Sequence, residues 1–568
     1  MRDIRADMTR GEISVHEVSP DNLLGGRAFI DWYLTEHVSP AVHPLSGENP
    51  FIVATGLLAG TSAPSSGRIS VGGKSPLTGG VKEANAGGAA GHKLGRIGVR
   101  SIVVTGKAAE WMVLRVTAEG ASLEPAGDIV GLDNYTAAAK LRERFGSDVG
   151  LMIAGVAGER LHANSTVAVT DMEGRPARHA ARGGVGAIMG AKRLKAIVID
   201  DSGGSFRKAA DPDGFREAVK AASEALRNDP LCQTVHRFGT PFFIQVEHDR
   251  GALVSLNHRA GSFEGVRGIN ADALVSWTEK HGGELGHRCL PGCVVACSNV
   301  VHDATGQYLT ASFEFETLTM CGANLGIGNL ELVAKIDRRC DELGLDTIET
   351  GATIAMLSDA GIYELGNFDR VMELLEEVAK GTPLGRVVAS GTEVAAKVFG
   401  IDRVPTVKGQ AIPAHAARTS KGWGVTYATS PQGADHTTGA VTADPLSPHG
   451  QVDRSRWSQI INTAMDATGL CHFTFLFRSK ETIDLIAPMV ATLYGVEFTT
   501  RDLIELGKKM LLQEREFNRR AGISDVADRL PEWMRKEPLP PTNAVFDVPQ
   551  EEIDQFFDFS QTKEFIRT

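Results

Sequence analysis

At 568 residues the chain is too long for one ordinary hydrophobic core and predicts three domains of roughly 150 to 200 residues. Its 42% hydrophobic and 23% charged residues match soluble globular proteins, and a net charge of −11 argues against nucleic acid or an anionic membrane surface as partner while suiting a basic redox protein. The start, Met1-Arg-Asp-Ile-Arg-Ala-Asp-Met8, lacks a signal-peptide core, and no stretch approaches the ~18 apolar residues of a membrane span, so a cytoplasmic protein without membrane insertion is expected.

The first two hundred residues alternate glycine with β-branched residues. Strands are predicted at Phe51-Ile-Val-Ala54, Ile102-Val-Val-Thr105, Met112-Val-Leu-Arg-Val116 and Lys195-Ala-Ile-Val-Ile199. A break follows at Asp201-Ser-Gly-Gly-Ser205, after which 212–227 and 329–343 carry apolar residues at helical spacing, for example Leu332, Ile336, Cys340 and Leu343. A second break falls at 400–413, where Pro, Val and Gly replace the helical period. The expected fold is α+β and multidomain: a β-rich N-terminal platform over 1–205, then mainly α-helical domains over 206–410 and 411–568. No solenoid period is evident.

Three of the seven cysteines are bunched as Cys289-x3-Cys293-x3-Cys297, which is not the scatter of a secreted disulfide scaffold. A fourth, Cys471, completes a set that suits either a cubane iron–sulfur cluster or a structural zinc. Cys232, Cys321 and Cys340 stand apart and read as buried packing. Cys471 ends the hexapeptide Asp466-Ala-Thr-Gly-Leu-Cys471, which has a near-twin in Asp341-Glu-Leu-Gly-Leu-Asp346. In each, glycine falls where a helix should stop: 332–343 runs into Gly344 and 457–468 into Gly469. Gly-Leu is a common helix stop on its own. Two copies with matched Asp spacing, one ending in the isolated Cys, predict a pseudo-symmetric clamp on one large cofactor, and hence a redox enzyme.

Further motifs occur in order: Gly60-Thr-Ser-Ala-Pro64, Ser66-Gly-Arg68, Lys74-Ser-Pro-Leu-Thr-Gly79, Ala84-Asn-Ala-Gly-Gly88, Arg182-Gly-Gly-Val-Gly-Ala-Ile-Met-Gly190, Glu314-Phe-Glu-Thr317, Gly322-Ala-Asn-Leu-Gly326 and Gly433-Ala-Asp-His436. With both hexapeptides they make nearly the whole chain resemble the aldehyde:ferredoxin oxidoreductase family. The resemblance implies a tungsten or molybdenum bis-pyranopterin beside a [4Fe-4S] cluster, with Mg bridging the pterin phosphates. It implies that Arg68, Asn85, Gly87 and Arg178 contact the pterins, with neighbouring glycines letting backbone amides approach phosphate. Asp341 and Asp466 would accept hydrogen bonds from the two pterins. Leu345 and Leu470 would offer backbone groups, with Asp346 beside them. Cys289, Cys293, Cys297 and Cys471 would hold the cluster. Glu316 would be the general base and His436 the donor to the substrate carbonyl. If this stretch is extended, Glu314 shares a strand face with Glu316, so choosing Glu316 rests on the resemblance.

The implied reaction oxidises an aldehyde plus water to a carboxylic acid, with electrons leaving through the cluster to ferredoxin or a ferredoxin-like subunit. Two alternatives stand: the same cofactor working reductively or on a non-aldehyde substrate within a larger electron-transfer complex, and a non-catalytic four-cysteine metal-binding or electron-relay protein. Three departures from the family pattern matter. The first two cysteines are spaced by three residues, where the family more usually has two. His415 in Ile412-Pro-Ala-His-Ala-Ala-Arg418 replaces an aromatic residue of the pocket. Lys335 takes the place of a Glu that, with His, holds a subunit-bridging metal in some members, so that dimer device is expected to be missing, and a homo-oligomer of another form stays open.

Overall fold

A computed structural model describes residues 1–474 and 479–568. The N-terminal region holds two six-stranded sheets. The first is made of β1 (Arg2–Asp7), β2 (Glu12–Glu17), β3 (Phe51–Thr55), β4 (Ile69–Lys74), β5 (Val81–Ala86) and β6 (Val99–Thr105), in the order β2-β1-β6-β3-β4-β5. The second is made of β7 (Met112–Val116), β8 (Ala121–Pro125), β9 (Gly150–Ala154), β10 (Val167–Val169), β11 (Arg178–Ala180) and β12 (Leu194–Ile199), in the order β8-β7-β12-β9-β10-β11. Adding six to each strand number of the first order reproduces the second. Each sheet also has one parallel pair, β1 with β6 and β7 with β12, all other pairs being antiparallel. The platform is thus a structural duplication.

Continuous β-branched runs form these strands because both faces are buried. In β3, Phe51 and Val53 point into a core shared by the two sheets, while Ile52 and Ala54 pack with Phe29, Ile30 and Leu34 of the helix Gly26–His37. In β9, Met152 and Ala154 enter the shared core, while Leu151 and Ile153 meet Ala137, Ala138 and Leu141 of the helix Asn134–Phe145. All four predicted strands lie inside β3, β6, β7 and β12.

The remaining chain is mainly helical. The predicted helices are Pro212–Asn228, Leu330–Leu343 and Gln451–Thr468. The first packs on Ile486–Tyr494 and shares a core with Trp457, Ile460 and Leu503, so it sits with C-terminal helices although it comes after the platform in sequence. A three-stranded antiparallel sheet, Gly283–His287, Ser298–His302 and Tyr308–Ala311, carries the cysteine-rich loop between its first two strands; its short segments carry no clear strand signal in the sequence. Residues 314–317 do not form an extended segment. Glu314 caps the helix Phe315–Met320, because its own φ/ψ of −102°/172° is the last extended pair before the turn begins. Among the described residues no helix is long and apolar enough to cross a membrane.

The helices that carry the hexapeptides seat on equivalent points of the two sheets. Gly56 directly succeeds β3, and the amides of Leu57 and Leu58 donate to Ala467 and Thr468 carbonyls at 3.1 and 3.0 Å. Gly155 directly succeeds β9, and Thr166 N donates to Gly344 O at 2.9 Å. A methyl at Gly56 would collide with the Gly469 backbone, and one at Gly155 would lie 2.5 Å from Leu343 O. Either Gly56→Ala or Gly155→Ala is therefore expected to cost about 1–3 kcal/mol, as overpacking does. Thermal unfolding of both variants checks this, and an unchanged Tm would contradict the close seating.

Candidate functional site

Both hexapeptide helices end in a left-handed glycine, Gly344 at φ +76° and Gly469 at φ +79°, whose amides close back on Cys340 O and Met465 O at 2.8 and 3.2 Å. A side chain is disfavoured at such φ, which explains glycine in both copies. The amides of Leu345 and Leu470 are already engaged, with Cys340 O at 2.9 Å and Thr468 Oγ1 at 3.2 Å, so their carbonyls are what they retain for a ligand. Both leucine side chains are buried in the helical cores.

The two aspartates one turn back have different surroundings. Asp341 Oδ1 lies 3.0 Å from His179 Nε2, and its Oδ2 accepts from the Tyr135 hydroxyl at 3.4 Å. Asp466 pairs with Arg27 at 3.1 Å, and Arg27 forks onto Glu514 through two bonds of 2.7 and 2.8 Å. Burial, reinforced by Glu83, pushes the Asp466 carboxyl up to about 8, against the pull of Arg27 and Arg68. Arg27, Glu514 and His179 are not legible in the sequence because lone charges carry no spacing signal. At the sixth hexapeptide position the copies diverge. Asp346 caps the helix Thr347–Met356 through Ile348 N at 2.9 Å, and its second oxygen, buried without a hydrogen bond, faces Arg182 Nε at 3.5 Å. Burial raises this carboxyl even with Arg182 opposing it.

Cys471 occupies the matching place in the other copy. Ser65, at φ +53°, ties it to the cysteine loop: its carbonyl accepts from Cys471 N at 2.9 Å, its hydroxyl from Val294 N at 3.0 Å, and its amide donates to Gly292 O at 3.0 Å. Gly88 N donates to Cys289 O at 2.8 Å, and a methyl at Gly87 would stand 3.4 Å from Cys289 Sγ, so the glycine pair forms a close wall to this thiol. The thiols act on one another electrostatically. A hydrogen bond to Cys293 and burial push Cys289 well up, burial does the same for Cys297, and burial raises Cys471 against Arg68. Ionising all four requires a compensating positive centre. A tetrahedral zinc would draw sulfurs to about 3.8 Å of one another, from a Zn–S bond of about 2.3 Å. Among the described residues no three of these thiols lie mutually within 4.8 Å, the grouping that does being Asp171, Glu173 and His287.

Arginines stand at each helix end, Arg182 by Asp346 and Arg68 by Cys471. Arg68 donates to the Asn85 side chain and, at 3.1 Å, to Asn85 O. Arg178 donates to Ser298 and Ser312 at 2.7 and 2.6 Å and lies 3.0 Å from His287 Nδ1, which turns it toward the cysteine-bearing sheet; its Nε is buried without a partner. Arg182, whose Nε makes no hydrogen bond but is ion-paired with Asp346, also feels Asp435, Glu349 and Glu316. The unpartnered Nε of Arg178, the loosely paired Arg182 and Asp346 and the glycine-lined backbone are groups that a large polar ligand with phosphates would satisfy, so the residues present fit a bis-pyranopterin.

Glu316 and Glu314 are separated by the helix start. Glu314 is spent on Thr240 and Ser298 at 2.6 and 2.9 Å. Glu316 Oε2 takes Ala414 N at 2.9 Å, while Oε1, buried without a hydrogen bond, faces His436 Nε2 at 3.9 Å. Asp435 lies 3.9 Å behind His436 Nδ1 and is salt-bridged to Lys82 at 2.5 Å. Burial alone would raise the Asp435 carboxyl, but Lys82, Arg182 and His436 hold it well below the ordinary range. His472, next to Cys471, is pushed down to about 3 by burial, with His436 and Arg68 adding to the effect. It is a further site residue that sequence reasoning missed. The base-like carboxylate, the imidazole and the thiol frame therefore border one charged region.

Sequence models of the aldehyde ferredoxin oxidoreductase N-terminal domain and of its domains 2 and 3 match residues 4–201 and 217–561. The chain belongs to the aldehyde ferredoxin oxidoreductase family. It is accordingly an oxidoreductase. It is 32% identical to the tungsten-containing aldehyde ferredoxin oxidoreductase of Pyrococcus furiosus over 95% of this chain and 92% of that protein. The enzyme of the same name from Thermococcus kodakarensis is 30% identical over 95% and 92%. A P. furiosus aliphatic sulfonate oxidoreductase, WOR-like subunit, is 25% identical over 90% and 84%. The fold is shared with the active-site complex BamBC of benzoyl coenzyme A reductase, solved with 1,5-dienoyl-CoA, at a TM-score of 0.83 and 20% identity over 99% of this chain and 94% of that one.

One loop holding the first helix end has a pH signature. His162, 4% exposed, precedes Asn164, whose carbonyl takes Asp346 N at 3.1 Å. Burial, aided by Arg386 and Arg160, pushes His162 down to about 4. The unfolded chain protonates this ring near 6.5, so stability is full above that pH and is lost as pH falls toward 4, by roughly 2–3 kcal/mol. Denaturant unfolding at pH 7 and pH 4.5 should show a smaller acid loss in His162→Gln than in wild type.

Proposed function

We propose that the protein oxidises an aldehyde and water to a carboxylic acid at a tungsten or molybdenum bis-pyranopterin, with electrons leaving through a [4Fe-4S] cluster to ferredoxin or a ferredoxin-like subunit. The observation that supports this reading is the Glu316 and His436 pair, each with a side-chain atom free of hydrogen bonds, with Arg182 acting on both Glu316 and Asp346 and with His472, next to Cys471, feeling His436. When bound, the metallopterin supplies a two-electron redox centre and the cluster a one-electron exit.

The roles of the chain's own residues come from their surroundings. Glu316, oriented through Oε2 by the Ala414 amide, takes a proton from the attacking water at Oε1. His436, backed by Asp435, donates a hydrogen bond to the carbonyl oxygen as negative charge develops there. Lys82 keeps Asp435 ionised and so keeps that backing in place. Asp346, Asp341 and Asp466 would hold the pterins, and Arg68, Asn85, Gly87, Arg178 and Arg182 would hold their phosphates together with magnesium.

Anaerobically purified protein is expected to hold about one tungsten or molybdenum and about four iron. Glu316→Gln and His436→Ala should each lower aldehyde-dependent viologen reduction about 10²- to 10⁴-fold with metal content unchanged. Cys471→Ser should lose iron. Zinc in place of iron, or fully active variants, would overturn the reading; dye reduction by an aliphatic sulfonate without response to aldehydes would move the chain to a non-aldehyde substrate.

A further inference from the structure

One imidazole beside this pair has no task in aldehyde oxidation as proposed. His415 comes directly after Ala414, whose amide orients Glu316. Its ring lies flat on Trp423, with centroids 4.3 Å apart and planes at 7°, and leans on Phe315 at 4.8 Å on another side. Packing against two aromatic rings sets the plane of the imidazole. Nδ1 stands 3.7 Å from Oε1 of Glu247, a carboxylate 3% exposed on the helix Phe242–Asp249. Glu247 offers only acceptor oxygens to the Nδ1 edge, and the Nε2 edge lies on the other side of the ring. Among the described residues no hydrogen bond reaches Nε2, while Nδ1 is buried without one. The hydroxyl of Tyr427, 3.4 Å from the His415 backbone carbonyl, feels the charges of Glu316, Glu247, Arg182 and Asp435, so the main chain at His415 borders the same charged region.

A ring stacked between two aromatics, next in sequence to the amide that orients Glu316 and with Nε2 making no hydrogen bond among the described residues, is suited to read a substituent. We propose that His415, held by Glu247, Trp423 and Phe315, is a specificity-determining residue that contacts a hydroxyl carried by the aldehyde substrate; the inference rests on the proposed aldehyde oxidation. A hydroxyl both donates and accepts, so it satisfies Nε2 in either protonation state. An alkyl chain in the same place would desolvate Nε2 without a partner, and a carboxylate would meet the charge of Glu247. The preferred substrates are therefore neutral hydroxyaldehydes.

The test compares matched pairs, 3-hydroxypropanal with propanal and 4-hydroxybenzaldehyde with benzaldehyde, in the metal-loaded wild type, His415→Phe and Glu247→Gln. Wild type should favour the hydroxylated member of at least one pair by about tenfold or more in kcat/KM. His415→Phe, which keeps the aromatic stacking, should bring that ratio close to one, and Glu247→Gln should lower it. Binding is read separately by saturation-transfer NMR with hydroxyacetone and butanone, which are not aldehydes: hydroxyacetone should bind wild type better than butanone does, and His415→Phe should lose the difference. Equal efficiency within both pairs, or a preference retained in His415→Phe, overturns the assignment while aldehyde oxidation stands. If no aldehyde reduces the dye, the aldehyde reading fails instead, and the ketone comparison alone then supports or overturns the His415 contact.

Discussion

The architecture depends on two backbone-to-backbone contacts in which a helix C-terminus is pressed onto the glycine that ends a β-strand. Gly56 receives Gly469, and Gly155 receives Leu343 and Gly344. Side chains are absent at these points, so the helix ends approach closely enough for main-chain hydrogen bonds to the platform. The duplicated sheets supply two equivalent strand ends, and the two helical regions supply two equivalent helix ends. Beyond each αL glycine and its leucine the copies part: Asp346 is an acidic helix cap in one, and Cys471 offers a thiol in the other. A symmetric scaffold thus presents an asymmetric pair of groups, one facing Arg182 and the other joined to the cysteine loop through Ser65.

Around this scaffold the protein buries charge on a scale that hydrophobic packing does not require. Arg27 with Glu514 and Asp466, Lys82 with Asp435, and Arg182 with Asp346 all lie in or beside the region between the helix ends. Buried pairs of this kind contribute little net stability, because desolvation offsets the attraction, while removing one partner leaves an uncompensated charge. Their value here is positional. Lys82 sits on strand β5 and Asp435 on a distant loop, so their pairing fixes His436 relative to the platform. Orphan polar atoms beside these pairs, on Asp346, Arg178, Arg182 and Glu316, mark where the protein leaves its own hydrogen bonding incomplete. Such gaps belong at functional sites, where a ligand completes what the fold does not.

Several features were legible from local pattern alone. The β-branched runs marked β3, β6, β7 and β12 because both faces of each strand are buried, and the helix stops at Gly344 and Gly469 announced themselves through spacing and the need for positive φ. The matched hexapeptides pointed to a paired site because the repeat spans two far-separated segments. Less visible was the duplication of the platform. Its halves share strand order but little sequence, since a buried strand needs only apolar bulk of the right period. The small sheet that frames the cysteine loop was missed because its strands are only four or five residues long and the first is interrupted by glycine.

The sequence by itself determined the chemical inventory and the stopping points: four thiols, two capped helix ends, a carboxylate and an imidazole, each set by residue type and local spacing. Tertiary structure decided which of them meet. It separated Glu314 from Glu316 by starting a helix between them, and it paired Asp466 with Arg27 while giving Asp341 a histidine and a tyrosine. It also set the flat ring of His415 between Trp423 and Phe315 with Glu247 at its edge. Such choices depend on contacts between segments hundreds of residues apart, where the energy of burying a charge is settled by whichever partner the fold delivers, and no local pattern records that partner.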